Sequence, residues 1–186
     1  MSTVTVFNVT TDPLAQEFED LFREHYPLVH RTAYSVTGSL EDAEDAVQTL
    51  FLRLIRRGLP PGFNSNPKAY LYRAAVNIAL DAVRSRRRHI LTSDTERLDV
   101  PDEAGRPNPE SAIQGPLVDA IAQLNPRAVE MLILCYEHHY SDAEIGKLLG
   151  KSRGVVAVTL YRARARLKKL LRASSPSRKG RSDEPK

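Results

Sequence analysis

A chain of 186 residues holds one large domain or two small ones, each able to bury a core. With 41% apolar residues, 6% aromatics, no Trp and 12 Pro placed mostly at segment edges, the composition favours helices. The net charge of +4 and a pI near 9.3 suggest local basic patches and a polyanionic partner, the single Cys135 excludes an intrachain disulfide, and no apolar run is long enough for a membrane span.

Nothing at the amino terminus resembles a charged region followed by an apolar signal core, so the cytoplasm is the expected compartment. After a polar leader (1–13), Leu14, Phe18, Leu21 and Phe22 mark a first helix. Pro27 is expected to end or kink it, with Leu28, Val29 and Val36 continuing the pattern to Gly38. Ser39, with Asp42 three residues on, caps a second helix whose buried side is expected to hold Leu40, Ala43, Val47, Leu50, Phe51, Leu54 and Ile55. Gly58-Leu-Pro-Pro-Gly62 breaks it. Asn66-Pro67 then pairs an N-cap with proline at the first helical position, opening a third helix through Tyr70, Leu71, Ala74, Ile78 and Ala82 into Arg84 and Arg86-Arg87-Arg88. Residues 14–88 therefore read as one compact α domain.

From His89 to Ala112 the periodicity disappears in a stretch with six acids, two arginines and three prolines, which reads as a flexible acidic linker. Such a coil spans roughly 27 Å root-mean-square and about 80 Å when stretched. The second domain, 113–172, is expected to pack Leu117, Val118, Ile121 and Leu124 against Val129, Leu132, Ile133 and Tyr136. Ser141-Asp142-Ala143-Glu144 fits a capping box, and Gly150-Lys151-Ser152 supplies a left-handed stop and a fresh N-cap. Val156, Leu160, Ala163, Leu167 and Leu170 then form one apolar stripe. Off that stripe lie Arg153, Arg162, Arg164, Arg166, Lys168, Lys169 and Arg172 with no acid between them. Such a helix-turn-helix with an unneutralised second helix points to duplex DNA, although a basic face also serves solubility. The tail 173–186 reads as disordered. The expected fold class is all-α, with two small helical domains on a flexible acidic linker and a helix-turn-helix in the second.

Three stretches, in order, carry a resemblance. Ser39-Leu-Glu-Asp-Ala-Glu-Asp-Ala-Val-Gln48 with Phe51-Leu-Arg-Leu54 resembles the core-binding segment of bacterial sigma factors of the extracytoplasmic-function group. Asn66-Pro-Lys-Ala-Tyr-Leu-Tyr-Arg-Ala-Ala-Val-Asn77, leading into Arg84-Ser-Arg-Arg-Arg88, is similar to the promoter-melting segment of that group. Leu124-Asn-Pro-Arg127 and the helix-turn-helix are similar to its second domain. The resemblance implies a promoter-specificity subunit that binds core RNA polymerase and promoter DNA, has an anti-sigma partner and leaves catalysis to the core enzyme. Neither a cofactor nor membrane insertion is expected.

The resemblance also implies site residues. Asp45, Gln48, Phe51 and Leu52 fall in the polymerase-binding segment, where Thr49 stands in place of the usual Glu. The acids Glu41, Asp42, Glu44 and Asp45 also suit a helix amino terminus on electrostatic grounds alone. Phe63, Tyr70, Tyr72, Arg73, Asn77, Arg84, Arg86, Arg87 and Arg88 fall in the minus-ten segment. Tyr72 suits either a core or a base-stacking platform, whereas the Asn77 amide presents a donor and an acceptor to an extruded base. Arg153, Tyr161, Arg162, Arg164 and Arg166 are placed at the minus-thirty-five element. There Ala157 and Thr159 replace two usual cations and Val158 a polar residue, which leaves the promoter sequence open. These departures also motivate an alternative, a sigma-like protein that binds polymerase or a regulator without directing initiation. An ordinary helix-turn-helix repressor does not account for the first domain. His138-His139 beside Glu137 point apart on a helix and complete no metal site, and no phosphate loop or nucleophile elbow occurs.

Overall fold

The computed structural model describes residues 13–93 and 109–174, and every regular element among them is helical. In chain order these are α1 (Pro13–Thr37), α2 (Leu40–Arg57), a 3-10 turn (Phe63–Ser65), α3 (Pro67–Ser93), α4 (Pro109–Ala122), α5 (Pro126–Tyr136), α6 (Asp142–Leu149) and α7 (Arg153–Ser174). The expected leader, the middle of the expected linker and most of the expected tail lie outside the described residues.

The local chemistry explains most boundaries. Ser39 Oγ accepts from the Asp42 amide at 3.3 Å and starts α2. Asn66 Oδ1 accepts from the Ala69 amide at 3.1 Å and starts α3. Asn125 caps α5 ahead of Pro126. Pro27 neither ends nor interrupts α1. It removes one backbone hydrogen bond on an exposed stretch, while His25, Val29, Thr32, Ala33 and Val36, buried on either side, keep the helix continuous through it. Helix α3 continues to Ser93 and α4 begins at Pro109, so both ends of the linker expected at 89–112 are helical.

Helices α1, α2 and α3 enclose Val29, Val36, Val47, Leu50, Leu71 and Leu80. Helices α4 to α7 enclose Leu124, Val129, Leu134, Ile145, Val156 and Leu160, and the two groups join in one continuous core. Two α2 residues expected inside are outside: Leu40 is 63% and Ile55 57% exposed, and Ala46 is buried instead. In the second half, Leu117 and Tyr136 also lie at the surface.

The helix-turn-helix depends on close approach. Both halves of the Ser141–Glu144 capping box form, and Gly150 ends α6 at φ 64°. A Cβ on Gly146 would stand 2.7 Å from the Lys151 carbonyl oxygen, a backbone atom that cannot swing away. Gly146→Ala should therefore destabilise the protein by about 1–3 kcal/mol, as overpacking does. Gly154→Ala, whose added methyl meets open space, should not destabilise it. Urea unfolding of the two variants checks the contrast, and equal midpoints would contradict it.

Candidate polymerase and nucleic-acid surfaces

Four exposed residues share the outer face of α2: Asp45, Gln48, Leu52 and Ile55, at i, i+3, i+7 and i+10. Two polar groups thus lead into an apolar patch, with Leu52 48% exposed. Ile55 extends the surface beyond the residues expected from sequence, and its spacing from Leu52 was the available signal. Phe51 is buried, its ring 4.8 Å from that of Phe22, and it fixes α2 against α1 rather than facing outward.

The residues expected at the minus-ten element lie along α3 and the turn before it, but in several environments. Phe63 is buried and edge-on to Tyr70, whose ring is partly exposed, at 5.4 Å. Asn77 is exposed and opens into a cleft of about 400 Å³ lined also by Arg73, Arg127, Glu130 and Lys151. Arg87 lines a second cleft with Asp119, and Arg88 is at the surface. Arg86 is paired with Asp42 at the start of α2.

Three members of this set are engaged by the second half of the chain. Tyr72 is buried, with its ring edge-on to His138 at 4.8 Å and to Tyr140 at 6.4 Å. Arg73 Nε stands 3.7 Å from Glu130 Oε1. Arg84 donates to the carbonyls of Ala122 at 2.9 Å and Leu124 at 3.0 Å, capping α4. Around them, Arg31 pairs with Glu137, Thr32 Oγ1 and His138 Nε2 form a 3.0 Å hydrogen bond, and Asn66 Nδ2 donates to the Leu148 carbonyl at 2.8 Å. The structure therefore seats α5 and the α5–α6 turn on the face of α3 expected to meet single-stranded DNA.

Burial perturbs this seam. Glu130 is 3% exposed, its Oε1 has no hydrogen bond, and desolvation raises its pKa against the lowering pull of Arg73 and Arg127. Burial also raises the Tyr72 phenol and lowers the His138 imidazole. Glu137 is lowered mainly by its hydrogen bond from Arg31.

On α7, Val156, Leu160 and Ala163 are buried, and Leu167 and Leu170 are half-buried, as the stripe requires. Arg153, Tyr161, Arg162 and Arg166 are exposed, and the three arginines form no ion pair among the described residues. Arg164 is different: its Nε donates to the Tyr136 hydroxyl at 2.7 Å and its guanidinium lies 5.4 Å from that ring's centroid. It braces α7 on α5.

Comparisons with known proteins bear on these surfaces. The sequence pattern of Sigma-70 region 2 matches residues 21–89, and that of Sigma-70, region 4 matches residues 114–167. The chain is 33% identical over 162 residues to the RNA polymerase sigma factor CarQ of Myxococcus xanthus, covering 86% of this chain and 92% of that protein. It is also 33% identical over 177 residues to the ECF RNA polymerase sigma factor SigE of Mycolicibacterium smegmatis, covering 89% of this chain and 66% of that one. The sigma factor RpoE of Bartonella quintana, solved in complex with the anti-sigma factor NepR, shares the fold at a TM-score of 0.50 and 23% identity, over 86% of this chain and 99% of that one.

The seam makes stability pH-dependent. Because burial favours the neutral His138 ring, its contribution is fully present above the unfolded pKa of about 6.5 and is lost as pH falls below that toward the lowered folded value. His138→Gln should flatten the fall in thermal midpoint between about pH 7 and pH 5 relative to wild type. Calorimetry on both proteins checks this, and identical pH slopes would uncouple the ring from folding.

Proposed function

Because the chain belongs to the extracytoplasmic-function group of the sigma-70 family, we propose that it directs core RNA polymerase to promoters, its first half opening the minus-ten element and its second half binding the minus-thirty-five element. The observation that carries this reading is the presence of both regions in order, residues 21–89 and 114–167, each on helical elements. That pairing is also what the non-initiating alternative lacks a reason for. The chemistry of RNA synthesis belongs to core polymerase, and the protein works in the cytoplasm. Among the described residues, no helix is long and apolar enough to cross a membrane.

The parts divide the work. Asp45, Gln48, Leu52 and Ile55 dock on core polymerase, with the apolar pair supplying buried area and the polar pair orientation. Tyr70 and Asn77 meet the opened strand: stacking a base on an aromatic contributes about 1–3 kcal/mol, comparable to the few kcal/mol that extrusion costs. Tyr72, Arg73 and Arg84 join them once the second half moves off α3, so promoter opening exchanges the His138, Glu130 and α4 contacts for DNA contacts. An anti-sigma partner fits the apolar groove of about 780 Å³ between α1, α4, α5 and α7. Arg164, Lys168 and Arg172 on its rim suit an amphipathic helix with acidic flanks.

Two measurements test the division. Asp45→Ala with Gln48→Ala should weaken core binding by about 1–3 kcal/mol in a pull-down titration without loss of helix, since both residues are solvated. Unchanged affinity would remove α2 from the polymerase interface. Asn77→Ala should lower permanganate reactivity of the minus-ten thymines more than it lowers duplex binding, and normal reactivity would take strand opening away from this residue.

A further inference from the structure

The first two turns of α7 carry an exposed apolar stripe that packing does not explain. Val155, Val158 and Tyr161, at i, i+3 and i+6, are 49%, 49% and 73% exposed, while the core side of the same turns is filled by Val156 and Leu160. Nor does helix propensity account for it, because β-branched residues are poor helix formers at exposed positions. Thr159, beside the stripe, donates its hydroxyl to the Val155 carbonyl at 2.7 Å, so that hydroxyl is directed at the helix's own backbone.

The surroundings identify what the stripe faces. Lys151 and Arg153 stand before it, Arg162, Arg166 and Lys169 follow, and α7 contains no acidic residue. None of the five forms an ion pair among the described residues. An apolar strip within unneutralised cations, on the second helix of a helix-turn-helix, is complementary to the duplex major groove and not to an apolar protein surface. The groove offers one apolar group to such a strip, the C5 methyl of thymine. A valine offers no donor or acceptor, so a guanine or cytosine edge facing it would lose its water partners without replacement.

We propose that Val158, flanked by Val155, reads thymine methyl groups in the minus-thirty-five element, so that this protein selects a thymine-bearing step where a polar or cationic residue would select other bases. The inference rests on the promoter-binding role proposed above. The bound phosphates supply affinity through the flanking cations, and the valines supply choice.

The test uses the full chain assembled with core polymerase. The holoenzyme first selects duplexes from a library randomised across the upstream element. The enriched duplex is then resynthesised with deoxyuridine replacing each thymine in turn, which removes only the C5 methyl. At one or more positions, uridine should weaken binding by the wild-type chain about four-fold, the effect of exposing one methyl-sized group. Val158→Ala should reduce that discrimination to less than about two-fold and leave the salt dependence unchanged, since no charge is altered. Alanine at an exposed helical position favours the helix, so the variant folds. Binding that tolerates uridine at every position, or full discrimination retained by Val158→Ala, would overturn the proposal while leaving promoter binding intact. A selection that enriches no sequence at all would instead remove the promoter-binding role of the second half, and this inference with it.

Discussion

The burial of α3 on two sides is the constraint on which the rest of the molecule depends. Most helices of a small domain bury one stripe, but Leu71, Tyr72, Ala75, Val76, Ala79, Leu80 and Val83 give α3 an almost continuous interior. Helices α1 and α2 take one side of it, and α4, α5 and α6 approach the other. Small residues permit this, since Ala75 and Ala79 let neighbouring backbones come close without leaving a cavity. The charged and amide side chains of α3 are left with the seams between those contacts, which is where Arg73, Asn77 and Arg84 lie.

The two sides of α3 are held by different kinds of interaction. Between α1, α2 and α3 the contacts are apolar and buried, and each large aliphatic side chain contributes about 1.5–3 kcal/mol. Between α3 and the second half, many of the contacts are polar and replaceable: Arg84 to two carbonyls, Asn66 to another, Arg73 near Glu130, and the His138 ring on Tyr72. Hydrogen bonds of this sort contribute about 0.5–1.5 kcal/mol each, and a partly exposed ion pair less. The unbonded Oε1 of Glu130 weakens the seam further, because a buried carboxylate oxygen without a hydrogen bond opposes the closed arrangement. These are the contacts that separation of the halves would exchange. Phosphates and unpaired bases offer the freed arginines and tyrosine partners of the same type.

Local signals were legible in the sequence because they act within a few residues. The caps at Ser39, Asn66 and Ser141, the stop at Gly150 and the stripe of α7 all occur as read. Signals that depend on distant partners were not. Pro27 was expected to end or kink α1, and it does not end it, because the packing of buried residues on both sides outweighs one missing hydrogen bond. Leu40 and Ile55 share the periodicity of α2, but Leu40 is its first residue and Ile55 lies just beyond the arc of its buried residues, so pattern alone did not place them outside. Arg84 and Tyr72 carry the composition of DNA-contacting groups, and nothing nearby in sequence shows that residues some forty to seventy positions away engage them. The linker was read too long for a similar reason: residues 89–93 and 109–112 are too short to show a helical period of their own, but they extend helices already nucleated by packing.

Helix α7 separates by position what many basic helices combine. After Arg153 its exposed side carries valines and a tyrosine and is cationic again from Arg162 onward, while Arg164 is turned back to brace α5 through Tyr136. Charge toward the carboxyl end suits the helix dipole as well as a phosphate backbone, so it favours the folded state and the bound state together. The apolar beginning favours neither the folded helix nor the free protein in water, because it exposes methyl groups that no core covers. A surface with that imbalance is stabilised only when something apolar covers it. In a duplex, the groups that meet that description vary with sequence, so the residues that contribute least to the free protein are the ones proposed to distinguish one promoter from another.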